Sequence, residues 1–377
     1  MDPKPKIIRT STVPGSLNTF CKGLLTELKE EYEVVALSSP GEELDELGER
    51  EQVKTIAVPM QRQISPLKDL VSLWKIYRAF RREKPQMVHS MTPKAGLLCM
   101  MAGWMARVPV RVHTFTGLVF PTAKGLKQKM LIMTDRITCA CATHIIPEGR
   151  GVKHDLLKYK ITGKPLKVLG YGNVMGINLE HYRSETTARK KMEADDTFSF
   201  LFIGRLVGDK GINELAHAFC RLCKKYEQVR LVLVGGYESD LDPLKPDTLR
   251  LIQETPQIMA VGVQKDVRPW FETADALVFP SYREGFPNVV IEAGAMGVPS
   301  IVTDINGSRE IIREGLNGRI IPSQDEESLF QAMEWMVNHP LACIEMAGRA
   351  RKMVEDRYEQ SFVRGCLKDF YRKILKP

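Results

Sequence analysis

Ala276-Leu277-Val278-Phe279-Pro280-Ser281-Tyr282-Arg283-Glu284-Gly285-Phe286-Pro287-Asn288-Val289-Val290-Ile291-Glu292-Ala293-Gly294 reads as a strand, a loop and a helix. The apolar run Ala276 to Phe279 has the pattern of a buried strand, and Pro287 suits a first helical position, where its missing N–H costs nothing. A helix that begins near Phe286 to Asn288 then carries Glu292. Glu284 in the loop and Glu292 on the helix flank a crevice at the carboxyl end of a strand, the place where open α/β sheets bind ligands. The backbone amides near Gly285, Asn288 and Val289 turn the positive end of the helix dipole into that crevice, which favours an oxyanion. Two glutamates alone are ordinarily a loop carboxylate and a solvated helix residue. Beside an anion socket they fit a ligand that has both hydroxyls and phosphates.

A second socket lies upstream. Phe202-Ile203-Gly204-Arg205-Leu206-Val207-Gly208-Asp209-Lys210-Gly211 is a strand ending in a glycine-rich loop that opens a helix. Gly204, Gly208 and Gly211 let the backbone close on a phosphate, while Arg205 supplies a bidentate fork and Lys210 a point charge. Preorganised cations of this kind stabilise a leaving diphosphate most in the transition state, and together they can neutralise it without a metal. The loop lacks the Gly-Lys-Ser/Thr order of a P-loop ATPase. Asp240-Leu241-Asp242 lies in a Pro-rich polar turn and reads as solvated rather than metal-binding.

Outward from these loops the chain alternates strand and helix. Strands are expected at Ile7–Arg9, Glu33–Ser38, Thr55–Pro59, Met87–Met91, Val108–Phe115, Ile145–Pro147 and Lys167–Gly170, with helices at Leu17–Tyr32, Ser65–Lys84 and Pro93–Arg107. A new buried strand starts at Phe198, and alternation resumes through Leu231–Val234, Leu244–Gln253, Ile258–Val261, Val267–Ala274 and Ala276–Phe279. From Glu326 onward the pattern is helical, interrupted near Pro340. Such βα alternation implies an α/β fold with two Rossmann-like, doubly wound parallel-sheet domains facing across a crevice. We expect an N-terminal domain over residues 1–180, a linker over 181–195, a C-terminal domain over 196–358 and a last helix over 359–377 returning to the first domain. Gly170-Tyr171-Gly172-Asn173-Val174-Met175-Gly176 loosely matches a dinucleotide fingerprint, but it sits mid-chain and opens no regular helix, which suits an interdomain turn better than a nicotinamide site.

Composition narrows the class. At 377 residues, 44% apolar and 27% charged, the chain is a globular protein too long for one ordinary core. Its longest uncharged apolar stretch, Ala95 to Ala106, is too short to span a bilayer, and no apolar signal region precedes the first strand, so a cytoplasmic location is expected. The cysteine pairs Cys139-x-Cys141 and Cys220-x-x-Cys223 lack the partners a zinc site needs, and all eight cysteines read as reduced. The net charge of +8 is uneven: residues 1–170 carry 27 Lys+Arg against 16 Asp+Glu, or +11, which leaves 27 against 30, or −3, for the rest. The basic half implies an anionic partner. No nucleic-acid motif accompanies it, so an acidic membrane surface is the better match. The helix Ser65–Lys84, with Leu67, Leu70, Val71, Trp74 and Tyr77 at helical spacing among Lys and Arg, packs on a sheet and can also rest on anionic lipid at its exposed end.

The chain resembles the GT-B glycosyltransferases, and within them the retaining family 4 group of bacterial capsule and surface-polysaccharide type. The likeness rests on Gly204-Arg205-x4-Lys210-Gly211, on Gly262-x3-Asp266-Val267, and on Pro280-Ser281-x2-Glu284-Gly285-Phe286-Pro287-x4-Glu292-Ala293 followed by Gly297-x-Pro299. Gly15-Ser16 and Gly315-Leu316-Asn317-Gly318 extend it over essentially the whole chain. The resemblance implies that Arg205 and Lys210 hold the diphosphate of a UDP-sugar, Glu292 the ribose hydroxyls and Glu284 the transferred sugar. It places Gly204, Gly285, Phe286, Pro287 and Asn288 in the donor pocket, Val263 and Gln264 near the base, and Gly15 and Ser16 beside the phosphate from the other domain. A histidine of the first domain commonly contacts the donor sugar in such enzymes. Here Thr116 occupies the usual position and His113 falls three residues earlier, so both are candidates for that place. The loop Phe115 to Gly125, with Lys94, Thr116 and Lys124, suits a lipid-linked oligosaccharide acceptor. No cofactor and no metal are implied. A GT-B epimerase or phosphorylase, and an idle nucleotide-sugar or polysaccharide-binding module, are the alternatives.

Overall fold

In a computed structural model the described residues are 3–61, 65–183, 197–238 and 242–375. The chain forms two compact units, Met1–Met175 with Ser361–Pro377, and Gly176–Gln360. The first runs β1 (Lys6–Thr10), α1 (Pro14–Cys21), α2 (Leu24–Leu28), β2 (Glu33–Ser38), α3 (Glu42–Glu51), β3 (Lys54–Ala57), α4 (Pro66–Glu83), β4 (Met87–Ser90), α5 (Pro93–Met105), β5 (Val110–Phe115), α6 (Gly125–Cys141), β6 (His144–Pro147) and α7 (Arg150–Lys158). Its six strands are parallel in the order β3-β2-β1-β4-β5-β6. Successive strand residues feed opposite layers, as the two-residue strand period requires. Ile8, Val35 and Val88 pack with Leu73, Ile76 and Phe80 of α4 and Leu98 of α5. Ile7, Val34 and Met87 pack on the other face with Leu17 and Leu25.

The second unit repeats the plan with β7 (Phe198–Ile203), α8 (Ile212–Cys223), β8 (Val229–Val234), α9 (Pro246–Glu254), β9 (Ile258–Gly262), α10 (Arg268–Thr273), β10 (Ala276–Phe279), α11 (Asn288–Ala295), β11 (Ser300–Thr303), α12 (Ser308–Ile311), β12 (Gly318–Ile321), α13 (Glu326–Asn338) and α14 (Pro340–Arg357). A short 3-10 turn, Gly208–Lys210, precedes α8. The sheet order is β12-β11-β10-β7-β8-β9, again parallel throughout. Its strands are apolar on both faces, Phe200, Leu201 and Phe202 being buried in succession, because helices cover both sides.

The last helix, α15 (Gln360–Ile374), packs on the first unit. Arg364 and Lys368 both pair with Glu27, and Arg372 reaches Glu31 at 2.6 Å. Beneath them Tyr371 is fully buried, and its hydroxyl meets both the Arg9 guanidinium and His89 Nδ1. Arg9 Nη1 also donates to His89 Nδ1 at 2.7 Å, and His89 Nε2 lies 2.7 Å from Thr114 Oγ1. Burial and the nearby Arg9 charge hold His89 well below the usual histidine range, so it is neutral, with Nδ1 accepting and Nε2–H donating to Thr114. Among the described residues no carboxylate pairs with Arg9, and this polar chain carries its solvation instead.

Several local expectations shift. The helix expected over Leu17–Tyr32 is two helices, broken at Gly23 with φ 74°. Gly15 and Ser16, expected in a loop, lie in the first turn of α1. Residues Lys167–Gly170 form no strand; next to them lies only an isolated bridge from Leu166 to Ile145. Helix α6 was not anticipated, because its apolar positions are spread around the cylinder. Pro287 is the N-cap of α11 rather than its first residue. The contact boundary falls at Met175 and Gly176, within the glycine-rich turn, and again at Gln360 and Ser361. Residues 184–196, most of the expected linker, lie outside the described residues.

Replacing Tyr371 by Phe leaves Arg9 and His89 short of one buried partner. We expect a loss of roughly 1–3 kcal/mol, read as a lower denaturant midpoint at unchanged m-value. An unchanged midpoint would show that the network contributes nothing to stability.

Candidate functional site

In the second unit β7 and β10 are neighbours, and the chain leaves them toward opposite edges of the sheet. This is the switch point at which doubly wound sheets open a crevice. The loops after the two strands are joined there by backbone. Gly211 has φ 73°, and a Cβ on it would lie 2.2 Å from the Pro280 carbonyl oxygen, so only glycine fits. Tyr282 N donates to Asp209 O at 2.8 Å, and Arg283 pairs with the Asp209 carboxylate at 2.8 Å. Asp209 N donates to Asp242 Oδ2 at 2.5 Å, so Asp242, expected to be solvated, is a strut of the loop. Thr303, at the end of β11, donates its hydroxyl to Ser281 O from the other side.

The charged groups stand on this frame. Lys210 forms an ion pair with Glu284, their side chains only 15% and 18% exposed. The ammonium lies 5.4 Å above the Phe279 ring, and Ser281 Oγ is 2.9 Å from Glu284 Oε1. Arg205 pairs with Glu238 at 2.6 Å in a more open position. Glu292, half-buried on α11, accepts a hydrogen bond from the Tyr182 hydroxyl. Burial pushes its carboxyl above the ordinary range, and the hydrogen bond from Tyr182 works against that shift. Burial and the Glu292 charge push the Tyr182 hydroxyl up in turn, so it remains a donor. The N-cap of α11 is Pro287, which has no side-chain oxygen to offer the first-turn amides. Two cations, an uncapped helix start and a hydroxyl-binding carboxylate thus surround one switch point, which equips the crevice for a phosphorylated, hydroxyl-bearing ligand.

Val263 and Gln264 follow β9 at the sheet edge. Val263 is 79% exposed, and Gln264 Nε2 donates to Val261 O at 2.8 Å. In the first unit the corresponding switch point lies between β1 and β4. Thr12 N donates to Thr92 Oγ1 at 2.8 Å, and Thr12 Oγ1 accepts from Ala95 N at 3.1 Å. Thr116 donates to Met91 O at 3.0 Å, Lys94 pairs with Asp69 at 2.7 Å, and Lys124 is the exposed N-cap of α6. His113 is 1% exposed, with Nδ1 2.8 Å from Ser90 Oγ and its ring against Gly96. Burial pushes it down to about 3, so it is neutral.

Residues 15–172 match the glycosyl transferase 4-like domain, and residues 197–339 match the glycosyl transferases of group 1. Over 376 residues the chain is 31% identical to the capsular polysaccharide biosynthesis glycosyltransferase CapM of Staphylococcus aureus, covering 98% of each protein. The chain belongs to the group 1 glycosyltransferases. It is also 27% identical, over 75% of its length and 74% of the relative, to the UDP-Gal:alpha-D-GlcNAc-diphosphoundecaprenol alpha-1,3-galactosyltransferase of Escherichia coli. Among solved structures, Anabaena HepE in complex with UDP superposes with a TM-score of 0.78 at 16% identity, over 98% of this chain and all of the other. Sucrose-phosphate synthase of Thermosynechococcus elongatus gives 0.78 at 20% identity, over 98% and 99%. The fold is GT-B.

In this glycosyltransferase Gly204, Arg205 and Lys210 lie on the loop after β7, Glu284, Gly285, Phe286 and Pro287 on the loop after β10, and Asn288 and Glu292 on α11; Phe286, expected in the donor pocket, is buried in the core against Tyr358. Lys210 and Glu284, to which the resemblance gives the diphosphate and the transferred sugar separately, are bonded to each other. His113 faces the interior of the first unit, so its placement gives no support to a contact with sugar. Thr116, at the mouth of β5, is the half-buried alternative. Among the described residues no cluster of three His, Cys, Asp or Glu side chains is arranged to hold a metal. Sequence reasoning missed Tyr182, Glu238 and the role of Asp209. Only Asp209 lay in a recognisable motif; Tyr182 and Glu238 reach the site through tertiary packing.

Two outcomes follow. Glu284→Ala leaves Lys210 largely desolvated and unpaired, at a cost on the order of 2 kcal/mol, less than for a sealed pair. In unfolding experiments Glu284→Ala/Lys210→Ala should lose less than the sum of the single changes; strict additivity would deny the coupling. Tyr182→Phe removes the bond that favours ionised Glu292, so the carboxyl rises further. If the Glu292 carboxylate holds the donor, donor affinity should then fade at a higher pH on the acid side than in the parent. An unmoved acid limb would refute the role of Tyr182.

Proposed function

We propose that this glycosyltransferase moves a hexose or N-acetylhexosamine from a UDP-sugar to a lipid-linked saccharide in capsule or surface-polysaccharide synthesis, at the cytoplasmic face of the membrane and with retention of the donor's anomeric configuration. The observation that carries this reading is the placement of Arg205, Lys210, Glu284, Glu292 and the uncapped start of α11 around a single switch point. The printed activities of the relatives support it: CapM belongs to capsule synthesis, and the Escherichia coli enzyme uses UDP-Gal and a diphosphoundecaprenol acceptor.

The two cations are the centre of the chemistry. When the bond from the anomeric carbon to the β-phosphate oxygen breaks, negative charge collects on the departing UDP. Arg205 and Lys210 meet that charge, and preorganised donors of this kind are worth about 10²–10³-fold each in rate. Lys210 is held ready by Glu284, which the Ser281 hydroxyl holds in turn, so little reorganisation is needed when the phosphate arrives. Lys210 then shares its charge with the diphosphate, and Glu284 gains a free oxygen for a sugar hydroxyl. Glu292 accepts the ribose hydroxyls. The acceptor hydroxyl forms the new C–O bond on the face that UDP leaves, and its proton passes to the departing phosphate oxygen. No protein nucleophile is required, and the protein's own cations fill the place a divalent metal takes in other transferases.

Incubation with a panel of UDP-sugars and a lipid diphosphate acceptor, followed by mass spectrometry and NMR of the anomeric centre, tests the reading. We expect a retained linkage, a rate within about twofold with and without chelator, and a loss of 10²-fold or more for Lys210→Ala. A free epimerised sugar nucleotide would show an epimerase instead. UDP-sugar binding that survives Lys210→Ala, with no turnover in the parent, would show a binding module.

A further inference from the structure

Helices α4, α5 and α6 lie side by side on one face of the first sheet, with α5 between the other two. Their inner sides form the core. Their outer sides are unusually apolar: most of the large apolar side chains that the described residues expose fall between residues 67 and 137. On α4 they are Leu67, 82% exposed, with Leu70, Val71 and Trp74, at helical spacing on the outer face. On α6, Leu126, 84% exposed, Met130, Met133 and Ile137 make a second stripe along the whole helix. Trp104 extends the layer at the end of α5.

The charge on this layer has one sign. Among the described residues Lys68, Lys75, Arg78 and Arg81 of α4 are exposed and have no ion-pair partner, and Lys127 and Lys129 of α6 are likewise exposed and unpaired. No carboxylate of the three helices is exposed: Asp69 is bonded to Lys94, Glu83 is buried against Lys54, and Asp135 is half-buried. Trp74 and Tyr77 stack at 5.2 Å and, with Arg78, Arg81 and the edge strand β3, line an open trough of about 840 Å³. The opposite face of the sheet carries α3, whose first turn is acidic with Glu42, Glu43 and Asp45. An anionic bilayer would attract one face of this unit and repel the other. Because α4 and α6 follow β3 and β5, both stripes begin at the carboxyl end of the sheet, beside Thr12, Thr92 and Thr116.

We propose that the outer layer of α4, α5 and α6 is the surface by which the first unit lies on an anionic bilayer. The stripes of α4 and α6 enter the headgroup boundary, Trp74 and Trp104 lie at its level, and Lys68, Lys75, Arg78 and Arg81 meet lipid phosphates. The proposal deepens the reading of a lipid-linked acceptor, whose chain would emerge from the bilayer next to the sheet end that the layer borders. It is tested without any acceptor or donor, so it can fail while the transferase reading stands.

The full chain is sedimented with vesicles of phosphatidylcholine alone and of phosphatidylcholine with phosphatidylglycerol, at low and moderate salt. We expect strong partition onto the anionic vesicles at low salt, weaker at moderate salt, and little onto the neutral ones. Arg78→Ala/Arg81→Ala should lower the partition coefficient roughly tenfold or more and flatten its salt dependence. Leu126→Ser/Met133→Ser should lower it roughly tenfold at both salts. Both variants should keep the circular dichroism, the UDP affinity and the rate on a water-soluble acceptor of the parent. Equal or negligible partition onto both vesicle types would overturn the proposal. So would a concentration-dependent dimer that Leu126→Ser/Met133→Ser dissociates, which would make the layer a subunit interface.

Discussion

Gly211 and Pro280 meet backbone to backbone where β7 and β10 part, and the arrangement of charged groups in the second unit depends on that approach. It brings two loops far apart in sequence close enough for Asp209 to hold both Tyr282 and Arg283. Lys210, one residue before the contact, and Glu284, four residues after it, are thereby forced together. Any residue larger than glycine at 211 would separate the loops and with them the ion pair.

The two units share a strand order and put it to different chemical uses. In the second, the ends of β7 and β10 carry ionised groups already paired with one another, a store of charge that a diphosphate can redirect. In the first, the ends of β1, β4 and β5 carry threonines bonded to backbone, and the one guanidinium buried among the described residues, Arg9, is spent on the interior. Its basic character is instead displayed on the outer layer of α4 to α6. The return of α15 completes the first unit by supplying Tyr371 to Arg9 and two cations to Glu27.

Legibility followed the range of the forces concerned. Strand-loop-helix grammar around Phe279 and Ile203 was readable because apolar periodicity and glycine placement are local, and the two loops at the strand ends therefore appeared in advance. The break at Gly23 escaped because a single glycine within a helical pattern is ordinarily tolerated. Helix α6 escaped because Met130, Met133 and Ile137 face outward, so its apolar residues mark no single inner face. His113 stood close to the expected position in sequence, yet strand alternation turned it inward against Gly96.

By itself the sequence determined the two parallel sheets, the family, and which loops carry the cations and carboxylates, since each is written in residues a few positions apart. The tertiary structure alone decided that Lys210 and Glu284 are partners, that Tyr182 holds Glu292, and that the apolar outer faces of α4 and α6 belong to one layer. Those relations join segments tens of residues apart, and only the packing of strand ends and helices brings them within reach of one another.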